Sequence, residues 1–221
     1  MLIERPLAGL PTLEAERFIR SLFAPDQRFA RAFHHYWKVV LKQNDATARL
    51  NMLIELAQAA DKLVANLADP HMFTVGHHDQ PIGIFGYREL TAHPVGCRIA
   101  DVIASGPLAA RCGSRLGIAH CVGIIDAHAS LDVLKTIFAS IARRAQAAGH
   151  DQVLFFTSDH RLESLYRRFG MEFPQELALH ESKHLVGMFD LTRCENRIRI
   201  NQLEAELERQ LDAYGELKQA A

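Results

Sequence analysis

The sequence predicts an α/β fold, and three observations carry that expectation. Residues 12–69 show helical periodicity through most of their length. At residue 71 the pattern changes to short apolar runs of strand length. Between residues 118 and 157 a strand, a long amphipathic helix and a second strand follow one another with little between them. Apolar residues recurring every three or four positions mark one face of a helix, whereas a short apolar run bounded by turn residues marks a buried strand.

The elements follow in order. "LIERPL" is a short extended segment ended by Pro6. "PTLEAERFIRSLF" reads as a helix capped by Thr12, with Glu14 and Glu16 in the first turn, where the helix dipole favours negative charge. "APDQRFARAFHHYWKVVLKQ" (24–43) places Phe29, Phe33, Trp37 and Val40 at helical spacing. "ATARLNMLIELAQAADKLVANLAD" (46–69) is a third helix, with Leu50, Leu53, Ile54, Leu56 and Leu63 mainly on one side, stopping before Pro70. "HMFTVGHHDQPIGIFGYREL" is two apolar runs about a polar turn, an antiparallel hairpin. Residues 91–116 are broken by Gly and Pro around a possible strand at 98–104. "IAHCVGIID" is a buried strand. "SLDVLKTIFASIARRAQAAGHD" is the clearest helix: Ser130 caps it, Leu131, Leu134, Ile137, Phe138, Ile141 and Ala145 form its stripe, and Gly149 ends it. "QVLFFTS" is the next strand, "HRLESLYRRFG" a short helix, and "LALHES" and "HLVGMFDLT" two closing strands. The polar stretch from Cys194 is a last helix whose narrow apolar stripe packs on the body or on a second subunit.

We divide the chain into a body, 1–191, helix-rich over 12–69 with its sheet core in 71–191, and a helical extension, 192–221. With 221 residues it can bury a substantial core. A net charge of −1 argues against a nucleic-acid or anionic-membrane partner, which would ask for a basic excess. No apolar run approaches the ~20 residues that cross a bilayer. The N-terminus carries Glu4 and lacks the apolar core of a signal peptide, so a cytoplasmic location is expected. The four cysteines have no CxxC spacing and read as small buried hydrophobes or free thiols. The histidine pairs His34-His35 and His77-His78 lack the i, i+4 spacing that puts two imidazoles on one metal, and no HExxH occurs; no metal is expected.

Two stretches carry a family resemblance. "GIID" with "LDVLKTIFASIARRAQAAGHDQVLFF", and then "SDHRLESLYRRFGMEF", resemble the central strand, cofactor-side helix, following strand and closing motif of the GNAT N-acyltransferase superfamily. "PIGIFGYREL" is similar to its third strand. The likeness covers 1–191, with its specific part at 120–173. It implies a mixed, mostly antiparallel sheet flanked by helices, in which two central strands part to admit acyl-CoA. It further implies that Ile124, Ile125, Ser130, Leu131, Asp132 and Val133 lie on the donor, together with Asp159, which stands where the family commonly has Asn. Tyr166 matches the Tyr that protonates the leaving thiolate, and Glu89, Asp126 or water would take the proton of the amine.

One departure narrows the expectation. The family's pyrophosphate loop is rich in Gly with an Arg or Gln, whereas here it reads "DAHASLDV", without Gly or Arg and with the acidic Asp126 and Asp132. This resembles the branch of acyl-homoserine-lactone synthases and N-acyl amino acid synthases, which commonly draw the acyl chain from an acyl carrier protein. "GSRLGIA" is similar to the Ser-Arg-Phe/Leu motif of that branch. Arg98, Arg111 and Arg115 would then meet the carrier protein's acidic helix. Apart from the resemblance, the C-terminal helix, where it packs on a second subunit, would make a homodimer.

The expected activity is therefore transfer of an acyl group from a thioester, acyl-CoA or acyl carrier protein, to a small-molecule amine. The alternative class is a catalytically silent module of the same fold that binds a partner or ligand; a metal-dependent enzyme using the histidines is a distant third. Each singled-out residue also has a plain reading. Tyr166 packs its ring with its hydroxyl at the surface, Glu89 and Asp126 cap turns, His120 is a satisfied histidine at the start of a strand, and Phe155-Phe156 pack the sheet.

Overall fold

Periodicity is realised closely in the structure, a computed structural model that describes residues 2–33, 46–77, 80–92, 103, 106–157, 160–179 and 182–219. The opening third holds β1 (Leu2–Pro6), α1 (Thr12–Leu22), α2 (Arg28–Phe33) and α3 (Ala46–Ala65). Then come β2 (Met72–His77), β3 (Gln80–Glu89), β4 (Leu116–Ile124), α4 (Leu131–Ala147) and β5 (Gln152–Thr157). The chain continues through α5 (His160–Arg168), β6 (Glu172–Leu179) and β7 (Ser182–Asp190) to α6 (Cys194–Gln219).

The seven strands form one sheet in the order β1-β2-β3-β4-β5-β7-β6. Every neighbouring pair is antiparallel except β4 and β5, which are parallel because α4 carries the chain back between them. α4 lies on one face, over a core that includes Phe73, Phe85, Val133, Ile137, Phe138, Ile141 and Phe155. α1 and α3 cover the other face through Phe18, Ile19, Leu22 and Leu56, meeting Met72 and Ile84 of the sheet. Ile137 and Ile19 are wholly buried, and removing each such side chain from water is worth about 1.5–3 kcal/mol. Gly149 and Gly170, at φ +71° and +90°, turn the chain out of α4 and α5 through the left-handed region that favours glycine.

Several boundaries differ from the sequence reading. Thr12 is the first helical residue of α1 and Pro11 holds the cap position, so Thr12 gives no side-chain cap. α2 begins only at Arg28, after a turn closed by the Gln27 amide on the Ala24 carbonyl (2.9 Å); residues 34–45 of the helix expected there lie outside the described residues. The strand expected at 98–104 also lies outside them, apart from the buried Ile103. β6 starts at Glu172, five residues before the expected strand, and includes Pro174. It is an edge strand, and Pro174 falls in the break of register between Glu172 and Gln175, both settings in which a residue without an amide hydrogen is tolerated.

The C-terminal helix packs on the body. Asn196 and Ile200 of α6 are buried, and Glu204 faces Arg143 of α4 at 3.8 Å. α4 is consequently covered on its outer side as well, where Ala139 and Ser140 are buried. Among the described residues no helix is long and apolar enough to cross a membrane.

Candidate active site

The central feature is where pairing stops. β4 and β5 pair through four rungs, from Leu116↔Gln152 to Ala119↔Phe155. Beyond that rung β4 runs on to Ile124 paired with β3, and β5 runs on to Thr157 paired with β7, with no further β4–β5 rung among the described residues. Two internal strand edges therefore face each other without a shared ladder, presenting backbone donors and acceptors that a ligand can satisfy. The parting coincides with a β-bulge: Cys121 and Val122 together oppose Phe85, between the rungs Gly86↔His120 and Ile84↔Gly123. Cys121 takes φ +52°, the one positive value at a non-glycine among the described residues. Such strain concentrates at functional positions.

Side chains along the open stretch of β4 alternate. Val122 and Ile124 turn to the α4 core, together with Ala119 and Phe155 of the last rung. Gly123 faces α2, whose Phe29 ring lies so close that a Cβ on Gly123 would stand 2.5 Å from it. His120 faces the same way with its imidazole against Gly86, where a side chain would collide with it.

At the N-terminus of α4, Ser130 caps as expected, accepting the Val133 amide at 3.3 Å. That engagement corrects the expectation for Val133, whose amide is already taken. The Ile125 amide is likewise committed, to the Ile82 carbonyl (2.9 Å). Leu131 and Asp132 supply the remaining first-turn amides, and both side chains are exposed. The Asp132 carboxylate lies 3.9 Å from Lys135.

Tyr166 is buried beside the parting strands. Its ring meets Phe138 edge-on (5.5 Å) and stacks with Phe173 (6.3 Å), while Phe138 touches Phe155 of the last rung (5.6 Å). The packed ring that the plain reading expects of Tyr166 is present, in a residue 8 % exposed as a whole.

The two carboxylates part company. Asp126 follows β4 at the open end, where it pins the α1–α2 turn: its Oδ2 accepts the Arg28 amide (2.9 Å), and its own amide donates to Gln27 Oε1 (2.8 Å). Glu89 pairs with Gly117 at the closed end of β4 and accepts from the Thr91 hydroxyl (2.9 Å). The structure therefore does not bring Glu89 to the opening. Asp159 lies outside the described residues, as does Arg98. Arg111 is ion-paired to Glu172, and Arg115 to Asp151 (2.9 Å), both toward the closed end.

The sequence reading missed two things. One is the clasp of Gln27 and Arg28 on Asp126 with Phe29 behind it; partners about a hundred positions apart leave no periodic trace. The other is a cleft of about 640 Å³ between α1 and the β2–β3 hairpin, bounded by Glu14, Arg17, Phe18, His77, Pro81 and Ile125. Ile125 joins that cleft to the end of β4. Glu14 and Arg17, three apart on α1, were legible only as helix-surface charges.

No family model matches the sequence, and no curated protein matches it. Solved structures do match. A polyamine N-acetyltransferase of Drosophila melanogaster is 12% identical over 86% of this chain and 100% of that chain, with a TM-score of 0.53. FeeM, an N-acyl amino acid synthase from uncultured soil microbes, is 12% identical over 86% and 91%, at 0.55. An uncharacterized protein of Bacillus halodurans is 12% identical over 93% and 91%, at 0.58. Identities this low speak to architecture alone. With one parallel pair opening at a bulge inside an otherwise antiparallel sheet, and with these structures superposing on nearly the whole chain, the protein has the GNAT fold.

Proposed function

We propose that this protein is an N-acyltransferase that moves an acyl group from a thioester to a small-molecule amine. The observation that carries the reading is the end of β4–β5 pairing at Ala119↔Phe155, while both strands continue. An amide-bearing arm such as pantetheine satisfies those two edges by backbone hydrogen bonds and lays its thioester beside the Cys121 bulge. The unengaged first-turn amides of α4, at Leu131 and Asp132, face the donor's phosphate end, with Ile124 on its flank. The donor is acyl-CoA or an acyl carrier protein. The glycine-free, acidic loop favours the carrier protein, because a carboxylate such as Asp132 repels a pyrophosphate. A site of this kind would work on soluble thioesters of the cytoplasm.

The chemistry is a direct displacement. The amine nitrogen attacks the thioester carbonyl carbon; the C–N bond forms, the C–S bond breaks, and backbone amides of β4 stabilise the oxyanion. Tyr166 gives its phenolic proton to the departing sulfur, and the proton lost by the amine passes to water or to Asp126. The acceptor reaches the opening from the α1 cleft by way of Ile125, and FeeM, an N-acyl amino acid synthase by name, suggests amino acids among the acceptors to try first.

Thermal denaturation with acetyl-CoA, a long-chain acyl-CoA and an acyl carrier protein tests this. A donor that binds the folded state raises the midpoint by about 2.7 kcal/mol of stability at a hundredfold excess over its Kd. An upward shift with at least one donor, followed by amide formation with a primary amine or amino acid, is the expected result. No shift and no turnover with all three would leave the chain a silent module of this fold.

A further inference from the structure

We infer that the ring of Phe29 sets the length of the acyl chain this site accepts; the inference rests on the N-acyltransferase reading. Gly123 lies in the stretch of β4 that has left β5, and between Val122 and Ile124, which face α4, it points to the α2 side. A Cβ there would stand 2.5 Å from Phe29 Cδ2 and 2.8 Å from Cε2, so the ring rests on bare backbone. It is also held in place. Phe23 meets it edge-on at 5.2 Å and 82°. The residues just before it are fastened by the Gln27–Asp126 and Arg28–Asp126 hydrogen bonds, of 2.8 and 2.9 Å.

A chain that threads between β4 and β5 from the α4 side emerges on the α2 side next to this ring. An acetyl group ends short of it. A longer chain meets a flat aromatic wall backed by Phe23, on a segment anchored by the clasp at Asp126. A pocket that gains or loses room for a methylene changes selectivity by about tenfold or more per step.

The test uses the full chain and saturated acyl-CoAs from two to sixteen carbons, with the matching acyl carrier proteins. Melting shift and kcat/KM are measured for wild type, Phe29→Ala, Phe29→Leu and Phe29→Trp. Phe29→Ala is expected to raise the ratio of long-chain to short-chain kcat/KM by about tenfold or more. Phe29→Leu should move it the same way by less, and Phe29→Trp the opposite way. Leu and Trp keep a large apolar side chain against Phe23, so the test survives if the alanine variant fails to fold. An unchanged chain-length profile in the folded variants, whatever their stability, reduces Phe29 to a seat for α2 and overturns the inference. A wild type that neither binds nor turns over any donor overturns the N-acyltransferase reading itself, and this inference with it.

Discussion

Under the proposed reading, Tyr166 would have two duties that a single atom separates. Its ring fills the space between Phe138 and Phe173, and only its hydroxyl can serve a leaving sulfur. Tyr166→Phe keeps the ring, so it should lower kcat by about 10²- to 10⁴-fold while leaving the melting temperature close to wild type. An active variant returns Tyr166 to packing. At the closed end a second phenol behaves differently. The Tyr87 hydroxyl lies 2.5 Å from His150 Nδ1, and burial holds that phenol far above its ordinary value. Burial also lowers the His150 pKa from 6.5, with Glu89 and Asp151 opposing that shift and Arg115 adding to it. The unfolded chain therefore takes up the proton first, and stability falls as pH drops through the unfolded value near 6.5. The melting temperature should decline on acidification across that range, and His150→Gln should flatten this step. A decline of equal size in the variant would assign it elsewhere. Neither the Tyr87–His150 contact nor the clasp on Asp126 was legible beforehand, because each joins residues distant in the chain.

At the level of elements, the N-terminus of α4 is where the proposal places the donor's phosphates. Ser130→Ala removes the cap on the Val133 amide and should cost about 1 kcal/mol in urea denaturation. Asp132→Asn removes a negative charge from the place assigned to the donor's phosphates. It should tighten acyl-CoA binding about two- to fivefold at low ionic strength, an effect that added salt erases. Titration showing no change would move the phosphates away from this helix end. This helix was read almost to the residue, because its stripe, its serine cap and its closing glycine agree with one another. β6 was misplaced because Pro174 interrupts the apolar run, and only the strand order makes it an edge where proline is tolerated. The parting of β4 and β5 was expected from the resemblance; nothing in the residue pattern marks where a shared ladder ends.

Across the whole molecule, two layers of helices grip one sheet, and α6 adds a third layer over α4. Ile200, at 1% exposure, is the apolar anchor of that outer layer. Ile200→Ala should cost about 2–5 kcal/mol, read from the urea midpoint at unchanged slope. A variant as stable as wild type would mean that α6 is an attachment rather than part of the fold. The change to a strand pattern at residue 71 was visible in the sequence, but the seating of α6 was not, since a polar helix with a narrow stripe fits a body or a partner equally well.

The bond between Arg28 and Asp126 joins positions ninety-eight apart. Ribosomal synthesis is vectorial, so the first three helices leave the exit tunnel long before the strand that finishes their shelter exists. Phe18, Ile19, Leu22 and Leu56 must wait, greasy and uncovered on one side, until Met72 and Ile84 are translated. For that interval the nascent polypeptide carries uncovered apolar surface, and a pause in translation before residue 84 would lengthen its exposure.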